Sequence, residues 1–199
     1  VLEDVPPNSF IIGKAGDQKS LLGVYRNNEI LPLHHKIAEM FNVEPRNSEQ
    51  GFAIEALLNP NIPLVTLTGL AGSGKTFLAL MAALSVVWTS PLGDQMKAVG
   101  VIKQKRLVIT RTLQPVGRDL GFLPGSMQDK MAPWLAPIVD NVRQAFGDTS
   151  YFDTMVEKGS IEVAPIPYIR GRTFTDAFII VDEAQNATIH ELKTIITRV

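Results

Sequence analysis

The hydrophobic positions along the chain fall into runs of two kinds, and their alternation predicts the fold. Short apolar runs are typical of buried strands; they occur at residues 64–68, 107–110, 161–164 and 177–181. Longer segments with helical spacing lie between or after them, at residues 77–84, 126–146, 151–157 and 189–197. This alternation predicts an α/β protein whose mostly parallel sheet is covered by helices on both faces.

Prolines interrupt one of the helical segments. Pro133 and Pro137 lie inside the pattern of residues 126–146. Because proline lacks a backbone N–H and clashes with the preceding turn, the sequence predicts two short helices there.

The N-terminal residues have a different pattern. Short β-type runs lie at 10–12, 21–25 and 30–31, and Asn27-Asn28 is typical of a hairpin turn. We therefore expect a small β-rich appendage over residues 1–44, followed by the main domain over residues 45–199. Residues 34–36 can contact a phosphate, but the pattern favours a solvated loop.

A further helix is predicted over residues 47–58, with Asn47 or Ser48 as its N-cap. Gln50 lies in its first turn. The Gln50 carboxamide can donate to and accept from the edge of adenine, or it can close a capping pair with Asn47. The residues alone leave both alternatives open.

The segment between strand 64–68 and the apolar helix after it is rich in glycine and fits the pattern G-x-x-x-x-G-K-T in its required context. Glycines let backbone N–H groups surround phosphates, the helix N-terminus favours negative charge, and a lysine adds a mobile cation. The pattern predicts that the chain binds a nucleoside triphosphate. The candidate binding residues are Gly69, Leu70, Ala71, Gly72, Ser73, Gly74, Lys75, Thr76 and Phe77.

Two acids end the last apolar strand. Asp182 and Glu183 follow residues 177–181, and the carboxyl end of such a strand is expected beside the phosphate loop. Asp182, together with Thr76, is suited to hold Mg²⁺. Glu183 is predicted to deprotonate the attacking water, with Lys75 as the second catalytic residue, and Gln185 can sense the γ-phosphate.

Several cationic or aromatic residues are candidates for contact with a nucleic acid or with a phosphate of a neighbouring subunit; they are Arg111, Arg118, Phe122, Arg170 and Arg172. Arg111 ends strand 107–110, where a partner can reach it. Phe122 can stack on a base with Arg118 on phosphate, although its loop composition slightly favours a core contact. Arg170 and Arg172 can grip phosphate or form surface salt bridges, and we favour phosphate.

Composition and charge narrow the class of protein. The chain has 199 residues, 45% of them hydrophobic and 20% charged, which suits a globular domain and excludes global disorder. The net charge of −1 gives no bulk basic field for nucleic acid. The absence of cysteine excludes disulfides and thiolate zinc sites, and three histidines make a histidine metal cage improbable.

No apolar run reaches the roughly 20 residues of a membrane span, and nothing resembles a secretory signal, so we expect a cytoplasmic protein.

Five motifs together resemble the PhoH-like family; they are Asn47-Ser48-Glu49-Gln50, the phosphate loop, Gly121-Phe122-Leu123-Pro124-Gly125, Arg170-Gly171-Arg172 and Asp182-Glu183-Ala184-Gln185-Asn186. The resemblance covers about residues 45–199, and the Asp-Glu-Ala-Gln tetrad is similar to that of superfamily-one helicases. It implies a RecA-like P-loop NTPase core that uses ATP and Mg²⁺, acts on single-stranded RNA and often forms a ring-shaped homo-oligomer. On this resemblance Gln50 reads adenine.

The same resemblance carries three further expectations. Residues 1–44 look like a connector that follows an upstream PIN-type ribonuclease domain. Thr112 stands where the family usually has proline. A Gly-Asp-x-x-Gln segment with a γ-phosphate sensor and a central strand is expected shortly after Arg198, so the domain is expected to be C-terminally incomplete.

The leading hypothesis is therefore an RNA-associated, Mg²⁺-dependent ATPase with helicase-like coupling. Two alternatives remain open at this point. One is a module in which ATP switches a partner surface with little turnover, and the other is a P-loop phosphotransferase.

Overall fold

The computed structural model describes residues 5–15, 19–37, 41–87, 104–112, 127–169 and 171–198. Their helices and strands in chain order are β1 (Phe10–Ala15), β2 (Lys19–Arg26), β3 (Glu29–Pro32), α1 (Ser48–Leu57), α2 (Lys75–Val87), β4 (Arg106–Arg111), α3 (Met127–Phe146), α4 (Ser150–Glu157), β5 (Ile161–Val163), α5 (Ile166–Ile169), β6 (Ala177–Asp182) and α6 (Ile189–Ile196). A 3-10 turn at Ala184–Asn186 joins β6 to α6. None of the helices described has the length and apolar character that crossing a bilayer requires.

The N-terminal strands form an antiparallel sheet in the order β1-β2-β3. Asn27 and Asn28 connect β2 to β3 with positive φ angles of 51° and 64°, as a two-residue hairpin turn requires. The sheet contacts α1 through the stacked rings of Phe10 and Phe52, whose centroids are 4.5 Å apart. The β-strands predicted for this region are confirmed, while its division from the main domain at residue 44 stays a prediction.

The main sheet is parallel, with β4 between β5 and β6. Leu107, Val108 and Ile109 of β4 are buried, as expected of a strand that is covered on both faces. Helix α2 packs against both β4 and β6 and against α1. The register pairs Arg111 with Asp182, so β4 and β6 end at the same level. The mixed α/β prediction is confirmed, and three of the four predicted strands lie within one residue of their observed bounds.

The predicted strand at residues 64–68 is wrong. Among the residues described, these five pair with no strand, and β6 has no neighbour besides β4. Leu64 is 61% exposed. A strand requires backbone groups beside it, because its hydrogen bonds are made to a neighbour and not within itself. The segment therefore has strand-like residues but no partner in the described part of the chain.

The predicted pair of short helices at residues 126–146 is also wrong, because α3 runs unbroken through both prolines. Ile138 and Val142 lie one turn apart in the second half of α3, and each is only 1% exposed. Burial of this face in the core offsets the hydrogen bonds that proline cannot donate, since packing contributes most of the stability of protein helices. The side-chain amide of Asn141 also donates to the carbonyl of Pro137 at 2.9 Å.

Candidate nucleotide site

The phosphate loop leads directly into α2. Gly72 and Gly74 have φ angles of 75° and 87°, which side chains other than glycine's rarely adopt. Lys75 Nζ donates to the carbonyls of Gly69 at 2.9 Å and Leu70 at 2.8 Å. The ammonium group therefore lies across the loop, and the first N–H groups of α2 face the same end of the helix. This end can bind an anion.

Gln50 links α1 to the phosphate loop. Asn47 Oδ1 accepts from the backbone N–H of Gln50 at 2.9 Å, so Asn47 is the N-cap of α1 as predicted. The Gln50 carboxamide accepts from the backbone N–H of Arg46 and donates to the carbonyl of Ser73 at 3.2 Å. A Cβ on Gly74 would lie 3.3 Å from Gln50 Nε2, a tight contact, and the φ of 87° also favours glycine there. Recognition of adenine by Gln50 stays a prediction.

Thr76 and Asp182 are 106 residues apart in sequence and in direct contact. Thr76 Oγ1 donates to Asp182 Oδ1 at 2.9 Å, which brings the first turn of α2 to the carboxyl end of β6. A hydroxyl and a carboxylate are oxygen ligands of the kind that Mg²⁺ prefers. In the described residues no group of three His, Cys, Asp or Glu side chains can hold a metal. An Mg²⁺ ion held by these two groups would take its remaining ligands from phosphate oxygens and water, as is usual for this ion.

Glu183 is held from several sides. Its backbone is left-handed, with φ 52° and ψ 40°. Gln185 Nε2 donates to Glu183 Oε2, and Arg111 Nη2 lies 3.8 Å from Glu183 Oε1. Thr112 Oγ1 donates to the carbonyl oxygen of Glu183 at 3.2 Å. The carboxylate is partly exposed and can accept a proton from a bound water.

Arg111 faces the acid pair. Its Nε lies 3.8 Å from Asp182 Oδ2, in addition to the contact with Glu183. The sequence placed Arg111 at a strand end, where an external partner can reach it, and the structure directs its guanidinium to the two carboxylates. Sequence reasoning missed this contact and that of Thr112, since no pattern indicates which strand ends become neighbours.

Arg172 pairs with Glu162 instead of standing free. Its two terminal nitrogens donate to the two carboxylate oxygens of Glu162, and Arg106 Nη2 donates to Glu162 Oε2 at 3.0 Å. The hydrogen bond from Arg172 lowers the pKa of Glu162 against the effect of burial, and the charges of Arg172 and Arg106 add to this. For Arg172, this arrangement agrees with the alternative of a surface salt bridge. Contact between Arg172 and RNA stays a prediction.

Three other candidates for nucleic-acid contact, Arg118, Phe122 and Arg170, lie outside the described residues. Nothing in the structure bears on their predicted roles.

A buried acid that sequence reasoning missed joins α1 to the N-terminal sheet. Glu55 is 0% exposed, and its Oε2 accepts from the backbone N–H groups of His34 and His35, each at 2.9 Å. Glu55 Oε1 lies 3.0 Å from His35 Nδ1 and 3.5 Å from Arg26 Nη1. Burial raises the pKa of Glu55, but the hydrogen bonds from His35 and His34 and the contact with the His35 side chain together lower it. The indication of this burial in the sequence was the position of Glu55 between apolar residues of the predicted helix.

The prediction of a solvated loop at residues 34–36 is confirmed in part. The side chains of His34 and Lys36 are exposed, as predicted. The backbone of His34 and His35 is nevertheless anchored on Glu55 and is not free in solvent.

An α/β fold in which a glycine-rich loop, a helix N-terminus and an acid pair meet at one point defines the class of P-loop nucleotide-binding proteins. Residues 42–199 match the family model described as PhoH-like protein. The chain belongs to the PhoH-like family, as the motifs indicated.

Similar proteins carry PhoH names. The chain is 42% identical over 200 residues to Protein PhoH2 of Bacillus subtilis, covering 97% of this chain and 43% of that protein. It is 37% identical over 161 residues to Protein PhoH2 of Mycolicibacterium smegmatis, covering 80% of this chain and 34% of that protein. A PhoH-like protein of Synechocystis sp. is 42% identical over 130 residues, which cover 65% of this chain and 36% of that protein. The chain thus spans less than half the length of these relatives.

Proposed function

We propose that this chain binds ATP with Mg²⁺ and hydrolyses it on a RecA-like core. The observation that carries the proposal is the 2.9 Å hydrogen bond between Thr76 and Asp182, which joins the phosphate loop to the acid pair. A phosphate-binding loop without such acids can bind a nucleotide but has no group to activate water. The family to which the chain belongs agrees with nucleotide binding.

Each residue of the site has a distinct task in this proposal. The loop N–H groups and Lys75 bind phosphate oxygens, and Thr76 with Asp182 holds Mg²⁺, which when bound offsets negative charge on the phosphates. Glu183 accepts a proton from the water that attacks the γ-phosphorus. Gln185 donates to one oxygen of Glu183, and the other oxygen, 3.8 Å from Arg111 Nη2, is the one that this proposal assigns to the water.

Replacing Lys75 with alanine is expected to weaken ATP binding by about ten- to a hundredfold, since hydrogen bonds to charged groups contribute about 1.5–3 kcal/mol each. Titration calorimetry with Mg²⁺ and a non-hydrolysable ATP analogue measures the effect. The matched control is Lys105→Ala, because Lys105 is 77% exposed and pairs with Asp176 at 3.3 Å. Equal affinities for the two variants would contradict the assignment of Lys75.

We further propose that single-stranded RNA is the partner of this ATPase. The support is the motif resemblance, and the same resemblance supports a ring-shaped homo-oligomer and an upstream PIN-type ribonuclease domain. The test adds single-stranded RNA to the full-length protein and measures phosphate release, which should rise. A rate of phosphate release that does not change with RNA favours the nucleotide-gated module. Transfer of phosphate to a hydroxyl compound favours the phosphotransferase.

If Arg172 contacts RNA, its pairing with Glu162 must compete with that contact. Arg172→Ala is then expected to weaken RNA binding about fivefold, the effect of one phosphate contact, and to lower the salt dependence. Glu162→Gln, which frees Arg172 from a charged partner, is expected to leave RNA binding unchanged or to strengthen it. Fluorescence anisotropy with labelled RNA measures both. If both variants lower thermal stability alike and bind RNA as the wild type does, the pair is purely structural.

A further inference from the structure

Thr112 is the first residue after β4, and Glu183 is the first residue after β6. The register pairs Arg111 with Asp182, so Thr112 and Glu183 follow neighbouring strand ends. Thr112 Oγ1 donates to the carbonyl oxygen of Glu183 at 3.2 Å, which connects residues 71 apart in sequence. The motif resemblance does not imply this hydroxyl, since position 112 is where the sequence departs from the family pattern.

The carbonyl that Thr112 contacts belongs to a constrained turn. Glu183 is left-handed, a conformation that residues other than glycine adopt rarely and that needs support from outside contacts. The same carbonyl accepts from the backbone N–H of Asn186 at 2.9 Å, which closes the 3-10 turn after β6. A carbonyl oxygen has two lone pairs, so the turn uses one of them and Thr112 uses the other. The hydroxyl thus fixes the turn to the neighbouring strand.

We propose that Thr112 is a positioning residue for ATP hydrolysis, a proposal that rests on the proposed function. Its hydroxyl holds the left-handed turn at Glu183, and the turn sets the direction of the Glu183 carboxylate. Gln185 and Arg111 contact that carboxylate at opposite oxygens, so a small rotation of the turn changes both contacts. In this proposal Thr112 acts only through the turn at Glu183 and not on the nucleotide itself. Misplacing a catalytic group lowers the rate of the chemical step more than it lowers substrate binding.

Two substitutions at position 112 test the proposal in the full-length protein. Thr112→Val keeps the shape and removes the hydroxyl, and it is expected to lower kcat about fivefold while KM and ATP affinity stay within about twofold. Thr112→Ser keeps the hydroxyl and is expected to restore at least half of the lost kcat. Steady-state phosphate release and calorimetry with an ATP analogue give these values.

The same strand offers a matched control. Thr110 is 0% exposed, and its Oγ1 has no hydrogen-bond partner among the residues described. Thr110→Val makes the same chemical change two residues earlier, and kcat is expected to stay at the wild-type value. Melting temperatures of both valine variants show whether a loss of kcat reflects unfolding.

The outcomes separate the positioning role of Thr112 from the ATPase assignment on which it rests. A Thr112→Val protein with wild-type kcat overturns the positioning role, while the ATPase assignment survives if Glu183→Gln is inactive. Equal losses in Thr112→Val and Thr112→Ser, or a change in KM alone, also overturn it, because they indicate packing instead of the hydrogen bond. A wild-type protein without Glu183-dependent hydrolysis overturns the proposed function and the positioning role together.

Discussion

Replacing Glu183 with glutamine is expected to lower the rate of ATP hydrolysis by about two to four orders of magnitude, the usual contribution of a positioned general base. Glutamine keeps the size of the side chain but cannot accept the proton of the attacking water. The left-handed backbone of Glu183 and its contact with Gln185 do not require the negative charge. ATP affinity is therefore expected to remain within about threefold of the wild type.

Phosphate release and binding of an ATP analogue have to be measured on the same preparation. Glu157→Gln is the matched control, because Glu157 is exposed at the end of α4 and lies outside the site. A Glu183→Gln protein that still hydrolyses ATP within threefold of the wild type would falsify the assignment of the base. Parallel loss of binding and turnover would show instead that Glu183 maintains the loop.

The second large effect is expected on stability, at Glu55. Glu55→Ala should lower the free energy of unfolding by about 3–5 kcal/mol, the range for breaking a buried ion pair from one side. The substitution leaves the backbone N–H groups of His34 and His35 without their acceptor and Arg26 without its acidic partner. Chemical denaturation measures the change. Glu44→Ala, at an exposed position before α1, is the control and should shift stability by less than about 0.5 kcal/mol.

The stability contributed by Glu55 is also expected to depend on pH. The folded-state pKa of Glu55 is lowered from its ordinary value of 4.5. A carboxyl group with a lowered pKa stabilises the fold fully above its unfolded-state pKa, and this contribution is lost as the pH falls through the folded-state pKa. The difference in unfolding free energy between wild type and Glu55→Gln should therefore be constant near pH 7 and shrink below about pH 4.5. A difference that stays constant down to pH 3 would contradict this role of the charge.

Helix α1 contacts both the phosphate loop and the N-terminal sheet. Gln50, in the first turn of this helix, bonds to the phosphate loop at Ser73. Glu55, further along, anchors the backbone that follows the N-terminal sheet. The helix therefore joins the candidate site to the appendage, and a Glu55 variant that folds can be assayed for ATP binding to learn whether this connection affects the site.

Local features of this protein follow from the sequence alone. The turn at Asn27-Asn28, the cap at Asn47 and the glycine conformations of the phosphate loop depend on residues that are adjacent in the chain. Short-range sterics and hydrogen bonds are sufficient to set such features. The apolar patterns of α2, β4 and β6 also predicted these elements, but the two strands form because they pair with each other.

Elements whose stability depends on distant neighbours could not be predicted in this way. Residues 64–68 have the composition of a strand, but no strand of the described chain lies beside them. Helix α3 continues through two prolines because its last turns are buried in the core. In both cases contacts with the surrounding structure, or their absence, outweigh the local conformational preference of the residues.

The sequence by itself determined which residues can bind phosphate and which acids can serve beside them. The motifs also predicted that Asp182 lies near Thr76, and the hydrogen bond between them agrees with that. Only the tertiary structure decided that Arg111 turns to the acid pair and that the hydroxyl of Thr112 reaches Glu183. The hydrogen bond of Thr76 spans 106 positions of the sequence, and that of Thr112 spans 71. Their existence depends on the order and register of parallel strands, which place separate strand ends at one edge of the sheet, and no local pattern encodes that order.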